Sequence, residues 1–132
     1  MRKESKMWSA LKAANRGVFL KRVENGVSIG FPDIYFVGGL AELKVSSGKR
    51  KFVIRSYTLA QRLWAREHVR AGGLHYLIVL HMQEFYWFRG HDSYGPDLLS
   101  SAEEAIALAF HVGKHWPLEE VPIGTSTFSR DI

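Results

Sequence analysis

The chain has 132 residues, of which 46% are hydrophobic and 23% are charged, so it is long enough for one globular domain with its own core. It contains no cysteine, which excludes disulfides and thiolate metal sites. Eighteen lysines and arginines against 13 aspartates and glutamates give a net charge of +5. This charge favours a polyanionic partner, although a merely basic soluble protein has the same balance.

The sequence also argues against a membrane protein. Its apolar stretches are short, as in 77–80, and no signal-peptide core follows Arg2-Lys3-Glu4. We therefore expect no membrane partner and a cytoplasmic location, which suits the lack of cysteine.

The first half of the chain predicts one helix, three strands and a basic loop. Their ranges, in chain order, are 3–15, 18–24, 31–37, 40–46 and 47–55. Asn25-Gly26 gives a turn signal after the first strand. Gly38-Gly39 fits a two-residue hairpin loop between the second and third strands, because tight hairpin turns need positive φ.

The second half predicts a helix, two strands and a last helix. Thr58 with Gln61 resembles a capping box and opens a helix that ends at Gly72-Gly73. Strands follow over 75–81 and 84–88, and the first is apolar enough to lie in the middle of a sheet. A second capping pattern predicts a helix over 102–112, with an irregular tail after Trp116. The predicted order is αβββαββα, an α/β fold with a mixed central sheet of about five strands flanked by helices.

The hairpin collects polar side chains on one face. With Gly38-Gly39 as its loop, Asp33 lies opposite Lys44 and Tyr35 lies opposite Glu42. Side chains alternate along a strand, so these four share a face. The other face is apolar and consists of Ile34, Phe36, Ala41, Leu43 and Val45. A three-residue loop would divide the polar set between the two faces, so the interpretation depends on the turn.

This polar face has the chemistry of a metal site. Two carboxylates about 7–8 Å apart across a hairpin can share a hard divalent cation such as Mg²⁺. The cation would polarise a phosphodiester and activate water, and Lys44 would offset the charge that builds on the phosphate. For each residue alone, a solvated salt bridge between Asp33 and Lys44 is the simpler explanation. The convergence of both carboxylates and the lysine around the Pro32-Asp33 step favours a metal-dependent nuclease.

Two stretches in this region resemble a known family. Gly30-Phe31-Pro32-Asp33 and Glu42-Leu43-Lys44 resemble the signature of the PD-(D/E)XK nuclease superfamily, and within it the VRR-NUC type and the archaeal Holliday-junction resolvases. Arg22-Val23-Glu24-Asn25 and Gln61 support the resemblance, which runs from Glu4 to about Leu80. It implies a restriction-endonuclease-like fold in one domain, 1–132, with 1–90 as the catalytic core and 91–132 as a helical extension.

The resemblance also implies roles for individual residues. Asp33 and Glu42 would be metal ligands, and Lys44 would be the catalytic lysine. Glu4 would add a ligand or position water, although a favourable charge near a helix N-terminus is almost as good an explanation. Gln61 would order the site, and we expect this role to compete with its capping role. The implied cofactor is Mg²⁺, with Mn²⁺ also supporting activity.

Basic residues near the site are candidates for contacts with a phosphate backbone. They are Arg50, Lys51, Arg55, Arg62 and Arg66, with Arg70 continuing the helical stripe. A solvated helix face is the alternative for that stripe. The aromatic run 85–88 predicts core more than base stacking, and the six histidines show no zinc-binding pattern.

Together these features predict a divalent-metal endonuclease that cuts branched or structured DNA as a homodimer. The homodimer and the setting, a bacterial cell or a phage-infected host, follow from the resemblance alone. Two alternatives stay open: a restriction or homing enzyme that reads a defined sequence, and a non-catalytic nucleic-acid-binding module. The sequence does not choose between DNA and RNA.

Overall fold

The computed structural model describes residues 3–23, 32–46, 51–54, 58–89, 98–101 and 106–121. Within them the elements are α1 Lys3–Ala14, β1 Leu20–Arg22, β2 Ile34–Phe36, β3 Gly39–Val45, β4 Lys51–Ile54, α2 Leu59–Arg70, β5 His75–His81, β6 Glu84–Arg89, β7 Leu98–Ser101 and β8 His111–Gly113. Neither described helix is long and apolar enough to cross a membrane.

A mixed six-stranded sheet organises the fold. Its strand order is β1-β2-β3-β5-β6-β8, and β4 pairs with β7 in a separate two-stranded sheet. Strands β3 and β5 run parallel, whereas the other neighbours in the large sheet run antiparallel. The chain between β3 and β5 includes α2, which supplies the long crossover that parallel strands need. The predicted α/β class with a mixed sheet and flanking helices is confirmed, with six strands in the sheet.

The core lies mainly on one face of the sheet. There α1 packs its buried Met7 and Leu11 against Ile34, Phe36 and Leu43 in one cluster. The opposite face carries a smaller cluster of Leu77, Val79, Tyr86 and Phe88. The run 85–88 alternates between the two clusters, and all four aromatic side chains are buried. Each of these rings is therefore part of the core.

Two elements differ from the sequence-based predictions. Residues 51–54 were predicted as loop, but they form β4, whose partner β7 lies far along the chain. Local patterns do not reveal such a pairing. The predicted helix over 102–112 is helical at 106–108, but its end forms β8, because this segment adds to the edge of β6 and Phe110 N donates to Trp87 O.

The segment predicted as a helical extension also enters the main core. Its strands β7 and β8 correct the prediction that it is helical. Trp116 and Val121 belong to the same buried cluster as Met7, and Trp116 Nε1 donates to Val121 O at 2.8 Å. Asn15 Oδ1 accepts from Trp116 N, which ties this segment to the end of α1. The division into a catalytic core of 1–90 and an extension of 91–132 stays a prediction.

The β2–β3 turn sits one residue earlier than predicted. Phe36 pairs with Gly39, which leaves Val37 and Gly38 as the loop. Gly38 has φ 121°, a conformation that favours glycine. A Cβ at Gly39 would lie 2.7 Å from the Leu74 carbonyl oxygen, so this position needs glycine for close backbone approach. The pairing moves by two residues, so each side chain keeps its predicted face.

Beneath the end of α2, His75 is a buried base that should make stability depend on pH. Its side chain is 3% exposed, and burial, followed by the nearby His68, lowers its pKa to about 4. Between about pH 6.5 and about pH 4, His75 is protonated in the unfolded chain and neutral in the folded chain. The free energy of unfolding therefore falls as the pH drops through this range.

We expect His75 to contribute about 2–3 kcal/mol to the loss of stability between about pH 7 and about pH 4.5. Urea unfolding at several pH values, comparing wild type with His75→Phe, measures this contribution. The variant should show the shallower decline, and His115→Phe at an exposed position is the matched control. Equal slopes for wild type and His75→Phe would contradict the prediction.

Candidate active site

The β2–β3 hairpin and the first turn of α2 bring together four of the predicted site residues. Asp33 lies just before β2, Glu42 and Lys44 lie on β3, and Gln61 lies in the first turn of α2. Ile34 pairs with Ala41, so the register places Asp33 beside Glu42, where the sequence had predicted Lys44. Tyr35 likewise pairs with Leu40 in place of Glu42. The predicted shared face is correct, and the predicted partners on it are wrong.

A backbone bond fixes the Asp33 carboxylate against the neighbouring strand. Leu43 N donates to Asp33 Oδ2 at 2.9 Å. This contact lies just beyond the last β2–β3 backbone pair, at Ile34. The preceding Pro32 is buried, and the side chain of Asp33 supplies the acceptor for Leu43 N where the ladder ends. The carboxylate is therefore held in place and still partly exposed to solvent.

Glu42 is the most unusual ionisable group among the described residues. It is 1% exposed, and its Oε2 is buried without a hydrogen-bond partner among those residues. Burial, then the charge of Asp33, raises the pKa of Glu42 to about 9, against the opposing effect of Lys44. This buried carboxyl, which has an unpaired oxygen, lies beside a second carboxylate. Two such carboxylates are oxygen ligands of the kind that hard divalent cations bind.

Lys44 and Gln61 surround the other oxygen of Glu42. Lys44 is 4% exposed, and its Nζ lies 3.6 Å from Glu42 Oε1. Gln61 Nε2 donates to the same oxygen at 2.7 Å. One oxygen of Glu42 thus forms an ion pair with an ammonium and accepts a hydrogen bond from an amide. The second oxygen has no hydrogen-bond partner among the described residues.

Gln61 makes its capping bonds and contacts Glu42 at the same time, which the sequence analysis treated as competing possibilities. Its Oε1 accepts from Thr58 N at 2.9 Å, and Thr58 Oγ1 accepts from Gln61 N at 3.1 Å, which completes the capping box. Its Nε2 is then free to reach Glu42. The expectation of competition was wrong, because the two ends of one amide serve different partners.

The remaining candidates are placed only in part. Glu4 lies in α1, on the helix that covers the opposite face of the sheet, and its side chain lies outside the described residues. Arg50, Arg55 and the side chain of Lys51 also lie outside them. Among the described part of the chain, no group of three or more histidine, aspartate and glutamate side chains could hold a metal. Asp33 and Glu42 therefore stand as a pair.

Two of the predicted basic residues, Arg62 and Arg66, follow Gln61 on α2. Arg62 is half-buried, and its Nε has no hydrogen-bond partner within the described ranges. Arg66 lies one turn further and is exposed. Both lie on the helix whose first turn contacts Glu42. Contact of these two arginines with phosphate stays a prediction.

Sequence reasoning missed two residues on the same sheet face. Phe19 lies just before β1 and Lys21 lies within it, and both are beside Tyr35. The strand pattern contained the signal: Leu20 points into the core, so its neighbours on either side must point the other way.

No protein-family model and no curated protein matches the chain. Among solved structures, the chain is similar to Hjc, a Holliday junction resolvase from the archaeal hyperthermophile Archaeoglobus fulgidus. The TM-score is 0.44 at 17% identity, and the similarity covers 81% of this chain and 98% of that chain. The function proposed for this chain therefore rests on the side chains of its own site.

Proposed function

We propose that the chain is a divalent-metal-dependent endonuclease that hydrolyses DNA phosphodiester bonds. The observation that carries the proposal is Glu42, a carboxyl buried beside Asp33 and Lys44 with one oxygen that has no partner among the described residues. A salt bridge that only stabilised the fold would need neither the second carboxylate nor the unused oxygen, because unpaired buried polar atoms cost free energy.

Asp33 and Glu42 would hold the cation. Mg²⁺ prefers oxygen ligands and is commonly bound through one or two carboxylates together with substrate phosphates, so two protein ligands are enough. Mn²⁺ accepts the same ligands. When bound, such an ion polarises the phosphate and lowers the pKa of a coordinated water. By the family resemblance, Glu4 would be a further ligand or would position water.

The other residues hold the site in a geometry ready for reaction. Gln61 fixes one oxygen of Glu42, and the Leu43 N–H fixes the Asp33 carboxylate. The ammonium of Lys44 would stabilise negative charge on the phosphate or orient the attacking water. These bonds are in place before substrate arrives, so little reorganisation is required during the reaction.

The basic residues would position the DNA. Arg62 and Arg66 on α2 would contact backbone phosphates on one side of the site, as we also propose for Arg50, Lys51 and Arg55. The net charge of +5 suits such a partner. We further propose that the chain acts on branched or structured DNA, because no sequence-reading module is recognisable in its sequence. By the family resemblance, it would act as a homodimer in the cytoplasm.

Cleavage of labelled linear, flapped and four-way DNA tests the proposal. We expect cutting with Mg²⁺ or Mn²⁺, none with a chelator, and faster cutting of branched DNA than of linear duplex. Asp33→Ala should abolish cutting. Cleavage of linear DNA at a defined sequence would favour the restriction or homing alternative. Binding of all three DNAs without any cutting would favour the non-catalytic module, and cleavage that survives a chelator would contradict metal dependence.

A further inference from the structure

Beside the carboxylates, two large aromatic rings are left open to solvent. Phe19 is 50% exposed and Tyr35 is 44% exposed. Their centroids lie 6.4 Å apart with the rings perpendicular, and Lys21 Nζ lies 5.3 Å from the centre of the Phe19 ring. We call Phe19, Lys21 and Tyr35 the aromatic patch. None of the three belongs to either buried cluster, so the patch does not serve the core.

The aromatic patch shares a sheet face with the candidate active site. Lys21 pairs with Tyr35 across β1 and β2, so the two side chains point the same way. Tyr35 follows Asp33 by two residues, and Ile34 between them points into the core. The patch therefore lies about 7 Å along the strand from the Asp33 carboxylate, on the order of two strand residues.

Helix α2 leaves this part of the face open. Its Gln61 contacts Glu42 on β3, and the centre of its Trp64 ring lies 6.0 Å from that of His75 on β5. The helix thus covers the middle of the sheet, whereas Lys21 and Tyr35 on β1 and β2 stay exposed. A DNA strand with its phosphate at Asp33 and Glu42 would have the arginines of α2 on one side and the aromatic patch on the other.

We propose that the aromatic patch stacks an unpaired base next to the scissile phosphate. The inference rests on the proposed nuclease function and names its substrate class: DNA with unpaired bases at the cleavage point, such as a flap, a single-stranded end or an open branch. Exposed rings bind bases of any sequence through their π faces, and Lys21 adds a cation for the adjacent phosphate. Bases within a continuous duplex keep both faces stacked and cannot use the patch.

The other occupant that an exposed apolar patch invites is a second copy of the chain. A two-fold interface would place the patch against itself and bring the two Lys21 ammonium groups together. Like charges across an interface oppose association, whereas they favour a polyanion. The charge of the patch therefore favours nucleic acid over self-association.

Binding in a chelator tests the inference without relying on cleavage. The probes are single-stranded, flapped and blunt duplex DNA, with 2-aminopurine among the unpaired bases. We expect Tyr35→Ala and Phe19→Ala to weaken binding of single-stranded and flapped DNA about 5- to 150-fold, to change duplex binding less than about twofold and to lose quenching of 2-aminopurine. Tyr35→Phe keeps the ring and should keep both properties.

The matched control for the cation is on the other side of the sheet. Lys12 Nζ lies 5.8 Å from the Trp8 ring on α1, so Lys12→Ala removes a comparable contact far from the patch. Lys21→Ala should weaken binding of unpaired DNA more than Lys12→Ala does. Equal losses on duplex and unpaired DNA, or no loss, would overturn the inference. The inference would also be overturned if the variants of the aromatic patch sedimented as monomers, the wild type as a dimer, and both bound unpaired bases equally well.

The same data separate the inference from the proposed function. If the protein quenches 2-aminopurine through the aromatic patch but cuts no DNA, the proposed nuclease function is rejected and the base-stacking inference is kept. If Tyr35→Ala and Phe19→Ala cut every DNA at the wild-type rate and with the wild-type preference, the nuclease function is kept and the base-stacking inference is rejected.

Discussion

Replacing Glu42 with glutamine should reduce DNA cleavage at least about 100-fold, because the substitution removes one of two anionic ligands from the proposed metal site. Glutamine has nearly the same shape, and its amide oxygen can still accept from Gln61 Nε2. The loss should therefore report the missing charge of Glu42 rather than a displaced helix.

The same variant should be at least as stable as wild type in a chelator. The folded chain holds a proton on Glu42 up to about pH 9, and the unfolded chain releases it near the ordinary value of 4.5. Stability of the metal-free wild type therefore falls as pH rises between these two values, and Glu42→Gln should lack this fall. At neutral pH we expect the variant to gain about 1 kcal/mol or more.

Single-turnover cleavage and urea unfolding of one protein preparation measure the two effects together. Glu84→Gln makes the same chemical change at an exposed position at the start of β6 and should change neither quantity. Full cleavage by Glu42→Gln would remove this residue from the site. Loss of cleavage together with loss of folding would show that Glu42 is structural.

Replacing Trp87 with alanine should reduce the free energy of unfolding by about 3–5 kcal/mol, a large fraction of the roughly 5–15 kcal/mol by which a domain is typically stable. Trp87 is 0% exposed on β6, and its ring centre lies 4.6 Å from that of Trp116 and 6.1 Å from that of Tyr76. Alanine would leave a cavity where the sheet meets the segment that follows β8.

Chemical denaturation followed by far-UV circular dichroism measures this cost. Trp87→Phe should cost less than the alanine variant, because it keeps a ring and removes the buried Nε1, which has no partner among the described residues. Phe19→Ala is the matched control: an exposed aromatic residue whose loss should cost about 0.5 kcal/mol or less. A small cost for Trp87→Ala would mean that the core closes around the gap.

Local patterns in the sequence determined the elements that rest on short-range chemistry. The capping box at Thr58 and Gln61 fixes the start of α2 through contacts three residues apart. The apolar run 75–81 forms a central strand because both of its faces are covered. The alternation around Asp33 placed the right side chains on one face, since a shift of two residues in pairing preserves facing.

Tertiary structure decided what depends on distant partners. The β2–β3 register follows from the fit of Gly39 against Leu74, and β8 forms because the edge of β6 needs a neighbour. The site depends on tertiary structure in the same way. Its residue types and their shared face can be predicted from the sequence. The two sets of Gln61 contacts and the unpaired oxygen of Glu42 arise only when α2 packs across β3. Burial sets the proton affinity of Glu42, and burial is a property of the packed chain.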